Sequence, residues 1–169
     1  MTKFYKLKVA EVIKETAESI SVAFEIPEEL KTIFKYKQGQ YITLKLNVNG
    51  QEMRRSYSIC SSPLDYPELQ IAIKKVLNGR GGSSYLNENL KPGSYLEVMP
   101  PMGNFFTELH PSHEKKYILF AGGSGITPIL SIIKTILLTE FQSSIVLFYG
   151  NLNEASTIFK KQLDILEEK

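Results

Sequence analysis

The residues richest in chemical possibility lie in Arg54-Arg55-Ser56-Tyr57-Ser58-Ile59-Cys60-Ser61-Ser62-Pro63, an alternating segment that runs into a turn. Successive side chains of a strand point to opposite faces, so Arg55, Tyr57 and Ile59 share one face and Ser56, Ser58 and Cys60 the other. A guanidinium, an aromatic ring and hydroxyls placed this close together suit a flavin. The charge would meet a phosphate, the ring would lie against the isoalloxazine, and a hydroxyl would reach the redox edge. Taken alone, the segment reads more simply as an ordinary strand with a surface arginine beside a core tyrosine.

A second motif changes that balance. Gly79-Arg80-Gly81-Gly82-Ser83-Ser84 opens a short helix predicted over Ser83 to Leu90, ended before Pro92, which cannot continue it. Free backbone N–H groups, the positive helix end and two hydroxyls converge there, as a phosphate or pyrophosphate requires. By itself this is also a glycine loop with a serine cap. Further on, Gly122-Gly123-Ser124-Gly125 follows an apolar run and precedes a helix whose first turn carries Pro128. Small residues let a dinucleotide approach the backbone, and proline suits the N1 position. This is not the GxGxxG fingerprint, and a tight strand-to-helix turn explains it too. Tyr149-Gly150-Asn151 ends the next apolar run, at the edge where open α/β sheets bind ligands.

The elements that must hold these groups follow from periodicity. From residue 4 to about 106, apolar residues recur with period two: Tyr5, Leu7, Val9; Ile20, Val22, Phe24, Ile26; Ile42, Leu44, Leu46, Val48; Leu69, Ile71, Ile73. Asn49-Gly50 is a hairpin turn, and stops are expected at Pro27, Gly39, Ser61-Ser62-Pro63, Pro92-Gly93 and Pro100-Pro101. Strands at this spacing predict a small closed or nearly closed antiparallel β-barrel, because closure removes exposed edges; the fold class expected is a six-stranded, Greek-key antiparallel β-barrel. From about Glu114 the pattern becomes a parallel βαβα unit: a run from Tyr117 to Ala121, a helix from Pro128 to Phe141, a run from Ile145 to Tyr149, and a helix from Glu154. Residues 1–112 are therefore expected to form the barrel domain and 113–169 the N-terminal part of an α/β parallel-sheet domain. Two parallel strands make a marginal sheet, so this second domain is expected to be incomplete.

Composition excludes several classes. Twenty Lys and Arg against eighteen Asp and Glu give a net charge of +2, scattered as in Lys74-Lys75 and Lys160-Lys161, which is a solvated face and no nucleic-acid footprint. The apolar stretch Ile126 to Leu138 is too short and too polar to span a bilayer, and the start of the chain carries no secretory h-region. A cytoplasmic location without a membrane partner is expected. The single cysteine, Cys60, excludes an internal disulfide and a four-cysteine metal site. His110 and His113 have no convincing third metal ligand, so no metal site is expected.

Taken together, these motifs resemble the ferredoxin-NADP reductase superfamily, specifically the reductase components of multicomponent oxygenases. The resemblance rests on Arg55-Ser56-Tyr57-Ser58 with Cys60-Ser61-Ser62-Pro63, Ile73-Lys74-Lys75-Val76, Gly81-Gly82-Ser83-Ser84, Pro100-Pro101-Met102-Gly103-Asn104-Phe105, Ala121 to Pro128 and Phe148-Tyr149-Gly150-Asn151. It implies FAD as cofactor, with FMN the less favoured choice of some relatives, and NAD(P)H as co-substrate. Arg55 would hold flavin phosphate, Tyr57 lie against the ring and Ser58 approach flavin N5, with Ser56 between them. Ile73, Lys75 and Val76 would line the cofactor mainly through backbone, and Gly81, Gly82, Ser83 and Ser84 would bind pyrophosphate. Gly123, Ser124, Gly125, Thr127 and Pro128 would place the nicotinamide nucleotide, with Thr127 also near the flavin, and Tyr149, Gly150 and Asn151 would complete that site. Tyr57, Ser58 and Thr127 are thus the residues expected nearest the chemistry. Leu152 stands where relatives often have arginine, which leaves NADH and NADPH undistinguished. Relatives also carry a later Cys-Gly motif beside the nicotinamide; Cys60 belongs to the flavin segment and reads as a small buried residue. The implied activity is hydride transfer from NAD(P)H to FAD and electron delivery to an iron-sulfur or oxygenase partner on another chain or a missing domain. The alternative is a flavin-binding module that does not turn over NAD(P)H by itself.

Overall fold

A computed structural model of the chain describes residues 3–65, 69–76, 79 and 81–167. Six strands form one antiparallel sheet: β1 (Tyr5–Thr16), β2 (Ser19–Glu25), β3 (Tyr41–Val48), β4 (Gln51–Ser58), β5 (Gln70–Lys74) and β6 (Tyr95–Met102), in the order β4-β3-β6-β1-β2-β5. After β4 the chain crosses to the far edge for β5 and returns to insert β6 between β3 and β1, a Greek-key path. The sheet curls around Leu7, Val22, Ile42, Leu44, Ile71, Ile73 and Val98, all fully buried. Its two edge strands meet in a single bridge, Ile59 to Ile71, reinforced by Cys60 N–H donating to the Gln70 carbonyl at 2.8 Å. Beyond that bridge β4 and β5 do not pair, so the barrel stays open beside Arg55 and Tyr57.

Local chemistry accounts for the strand ends. Asn49 and Gly50 both take positive φ (52° and 78°), as the tight turn between β3 and β4 demands. Pro100 and Pro101 do not stop β6 as expected; they lie inside it, where the pairing with β3 shifts register between Tyr41 and Thr43. A bulge is where a strand tolerates a residue without an N–H. Gly39, at φ 85°, lies so close to the Phe105 backbone carbonyl that a Cβ would overlap it. Gln40 Nε2 donates to the Gly103 carbonyl at 2.9 Å, holding the chain that leaves the barrel against the same loop.

The second unit is a parallel pair, β7 (Lys116–Gly122) and β8 (Ser144–Gly150), with α2 (Ile126–Thr139) between them and α3 (Lys160–Glu167) after them; α1 (Gly82–Asn89) belongs to the barrel. The sequence placed the helix of the crossover at Pro128–Phe141. A single 3₁₀ turn over Gly123–Gly125 leads into α2 early, so Pro128 is its third residue instead of its first. Proline is tolerated there because the first-turn N–H groups have no intrahelical partner. The last helix also starts later than the expected Glu154: a 3₁₀ turn capped by Asn153 comes first, then a break at Phe159 with φ 63°.

One face of the β7–β8 pair packs on the helices through Leu119, Ala121, Ile145, Leu147 and Tyr149. The other presents Ile118, Phe120, Val146 and Phe148 to solvent, with the two phenylalanine rings stacked at 5.0 Å. The helices in turn seat the unit on the barrel. Ile126, Ile129, Leu130 and Ile133 join Cys60 and Ala72 in a second core, so β2 and β5 are covered on both faces. Among the described residues no helix is long and apolar enough to cross a membrane.

Candidate flavin and nucleotide site

Where β4 and β5 part, a cleft of about 350 Å³ opens, lined by Arg55, Ser56, Tyr57, Lys74, Val76, Gly79, Gly81, Gly82 and Ser83. It lies against the N-terminus of α1. Gly81, at φ 81°, precedes that helix and no side chain among the described residues caps it, so its first N–H groups are left for something else to satisfy. A Cβ on Gly82 would sit 2.8 Å from Met53 Sδ and 3.5 Å from Arg55 Nε; the absent side chain lets the guanidinium lie beside the helix end. A cation and an uncapped positive helix terminus together form an anion site, and the residues present fit a phosphate-bearing cofactor.

Tyr57 forms the apolar side of the cleft. It packs on the barrel core, and burial pushes its phenol up to about 12, with Arg55 pulling the other way, so it stays neutral at ordinary pH. Ser58 ends β4 opposite Tyr41, while Ser56 points to the outer face and bonds Thr43 through the two hydroxyls at 2.9 Å. Ser83 accepts a hydrogen bond from Val76 N–H at 3.0 Å, fixing the loop's entrance to α1. Ile73 is fully buried in the barrel core and offers its carbonyl to Asn87. Arg80 lies outside the described residues.

Lys75 was expected to contribute mainly through its backbone; its ammonium pairs with Glu88 at 2.9 Å, and it is not among the residues that line the cleft. Lys74, which was not singled out, does line it, and its Nζ lies 3.8 Å from where a Gly123 Cβ would be. Lys74 therefore spans the flavin cleft and the glycine turn of the second unit. Strand parity could have flagged it, because two residues on from the bridge strand's Ala72 the side chains turn toward that unit.

At the glycine turn, Gly123 takes φ 49° and its carbonyl accepts from the Tyr149 hydroxyl at 2.9 Å. The ends of β7 and β8 are thus tied together, Gly122 opposite Gly150. Ser124 and Gly125 are exposed and Pro128 half-buried, whereas Thr127 is buried and spends its hydroxyl on the Ser124 carbonyl at 2.8 Å. Asn151 follows with its Oδ1 buried and unpartnered, and Leu152 projects into solvent. Cys60 is fully buried, its thiol pushed up to about 12 by burial, which makes it inert. His113 Nδ1 lies 2.8 Å from Glu140 Oε1, and no group of three His, Cys, Asp or Glu among the described residues is placed to hold a metal.

A cofactor-sized cleft on an open Greek-key barrel, followed by a glycine turn leading a parallel βαβ unit, is an arrangement with room for a flavin in the first module and a pyridine nucleotide at the second. Comparison with known proteins agrees: the oxidoreductase FAD-binding domain matches residues 6–107 and the oxidoreductase NAD-binding domain residues 119–169. The chain belongs to the ferredoxin-NADP reductase family. It is 40% identical over its whole length to one of the subunits of 1,2-phenylacetyl-CoA epoxidase from Escherichia coli, covering 47% of that protein. It is 39% identical to the ferredoxin reductase component of 3-ketosteroid-9-alpha-monooxygenase from Rhodococcus rhodochrous, over 96% of this chain and 45% of that one. Among solved structures, phthalate dioxygenase reductase, described as modular for electron transfer from pyridine nucleotides to [2Fe-2S], superposes with TM-score 0.78 at 28% identity, over 95% of this chain and 47% of that one. The FAD/NAD-binding domain of nitric oxide dioxygenase from Vibrio cholerae shares the fold, with TM-score 0.85 at 23% identity, over 99% of this chain and 70% of that domain. The chain spans about half the length of the curated relatives it matches.

Proposed function

We propose that residues 1–112 bind FAD, that 113–169 begin the NAD(P)H-binding unit, and that the pair acts as the reductase component of an electron-transfer system. The observation that carries this reading is the uncapped N-terminus of α1 beside Arg55, in a cleft walled by Tyr57. Arg55 and the N–H groups of Gly82, Ser83 and Ser84 would hold the cofactor's phosphates, Tyr57 would pack along its ring, and Ser58 would sit at the ring's redox edge. Bound there, the flavin supplies hydride acceptance and release of electrons one or two at a time. The chain's own part is positioning: the glycine turn over 122–125, braced by Tyr149, brings the nucleotide close to the cleft, which makes the encounter effectively intramolecular. Lys74 lies between the two subsites and would steady the anionic nucleotide. The onward acceptor is an iron-sulfur or oxygenase partner, by analogy with the reductase components that the chain resembles.

One observation favours the narrower reading of a flavin module without its own turnover: the β7–β8 pair has an uncovered apolar face, so the nucleotide unit has less support than the barrel. Anaerobic mixing of the FAD-loaded chain with NADH or NADPH separates the two. Loss of the flavin absorbance within seconds supports the reductase; a bound flavin that dithionite bleaches and neither nucleotide does supports the module.

A further inference from the structure

α2 is dominated by Ile and Leu, yet Thr127, Ser131 and Thr135 recur at every fourth position and are all buried. Residues four apart lie one above another, so the three hydroxyls form a polar line along one side of the helix. That side faces the barrel. Ser131 Oγ donates to the Ser61 carbonyl at 2.6 Å, and Thr135 Oγ1 lies 3.1 Å from Ser62 Oγ and 2.6 Å from the Ser131 carbonyl. Ser61 Oγ in turn accepts from Gln70 N–H at 2.9 Å and bonds the Tyr36 hydroxyl, and Ser62 Oγ accepts from Leu64 N–H. The turn that α2 grips, residues 60–62, begins two residues after Ser58, and the helix itself begins at the glycine turn.

Apolar contacts between Cys60, Ala72 and the isoleucines of α2 hold the units together without fixing their register, because such packing is non-directional. Hydrogen bonds are directional, and a buried polar group left unpaired is costly, so slippage of α2 along the seam would break the bond of Ser131 Oγ to the Ser61 carbonyl and part Thr135 from Ser62, even though Thr135 keeps its bond to the Ser131 carbonyl. We propose that Ser131 and Thr135 are positioning residues for the reaction: they set where α2 sits on the 60–62 turn, and hence how closely the glycine turn approaches the flavin strand. This rests on the flavin and nucleotide assignment above. It deepens that reading by placing the control of the approach in the seam, away from any group that touches cofactor or substrate.

The test uses S131A with T135V, which remove the hydroxyls at nearly constant volume, and T135S alone, which keeps both. Cys60 is the lone thiol of the chain and is sealed in this seam, so its reaction with a thiol reagent reports seam opening without any turnover. In the cofactor-free chain the double variant is expected to raise the Cys60 modification rate roughly tenfold, while T135S stays within about twofold. In the FAD-loaded chain the limiting rate of bleaching at saturating nucleotide should fall about tenfold or more, with FAD affinity unchanged. S131A alone, the milder change, should move both readouts in the same direction. Leu46→Val, in the barrel core away from the seam, controls for general loosening and should move neither. Wild-type thiol reactivity and bleaching in the double variant would overturn the proposal, as would FAD affinity falling in step with the bleaching rate. A wild-type chain that neither nucleotide bleaches would sink the reductase reading; a change in thiol reactivity would then support only the seam's structure and the role in approach would fall with the reaction.

Discussion

Arg55 makes no ion pair among the described residues; its Nη1 donates to the Arg54 carbonyl at 2.8 Å, and the rest of the guanidinium lies open beside Gly82. A cation left available at an uncapped helix end is disposed to meet phosphate. The same geometry makes Gly82 a sensitive position. Gly82→Val would push a branched side chain into Met53 and Arg55, and is expected to weaken FAD binding by about tenfold or more, the worth of one charge-assisted hydrogen bond. Isothermal titration of the variant with FAD checks this. Arg55, Tyr57 and Gly82, which line the cleft, were singled out in the sequence only because the two motifs occur together; either alone reads as an ordinary strand or a glycine loop. Lys74 was not singled out, although parity from Ala72 could have flagged it, because its approach to the glycine turn depends on packing between distant segments.

α2 carries a different lesson at its far end. Glu140 follows the helix, where the macrodipole disfavours a carboxylate, and it is almost fully buried. Burial pushes its carboxyl up, but Ser143 Oγ, the His110 N–H, the Tyr117 hydroxyl and His113 surround it and hold it at about 2. Because the folded value lies below the ordinary one of 4.5, the stabilisation is complete above pH 4.5 and is lost as pH falls from there through about 2. Glu140→Gln is expected to destabilise the fold by on the order of 2 kcal/mol at pH 7, and the gap to wild type should close toward pH 2. Thermal melts at the two pH values measure it; an equal gap at both would show that the carboxylate's charge is not the cause. The βαβα succession was readable from periodicity, whereas the bounds of its helices were not. The 3₁₀ lead-in over 123–125, the positive φ of Phe159 and the bulge that admits Pro100 and Pro101 depend on contacts that no local pattern encodes.

In the molecule as a whole, a well-closed core in the barrel contrasts with a sheet that is covered on one face only. Phe120 is 70% exposed and stacked on Phe148, an arrangement that parallel strands seldom keep in water. Phe120→Ser with Phe148→Ser should lower the binding of a hydrophobic fluorescent dye to the chain several-fold and leave FAD retention unchanged, since neither residue lines the cleft. Unchanged dye fluorescence would mean that this face is not the apolar surface that solvent meets. The two-stranded sheet was foreseen from strand count, and the barrel from spacing as closed or nearly closed; the parting of β4 and β5 beyond the Ile59–Ile71 bridge was not. Nor was the seam between the two units, because Ser61, Ser62, Ser131 and Thr135 look like surface residues until the fold sets them against one another.

The flavin assignment is tested most directly by titrating the cofactor-free chain with FAD and following the quenching of flavin fluorescence, for wild type and for Arg55→Ala. Saturable one-to-one binding that the variant weakens by about tenfold to a hundredfold is the result expected from a lost charge-assisted phosphate contact. No saturable binding by the wild-type chain, or equal affinity in Arg55→Ala, would contradict the account.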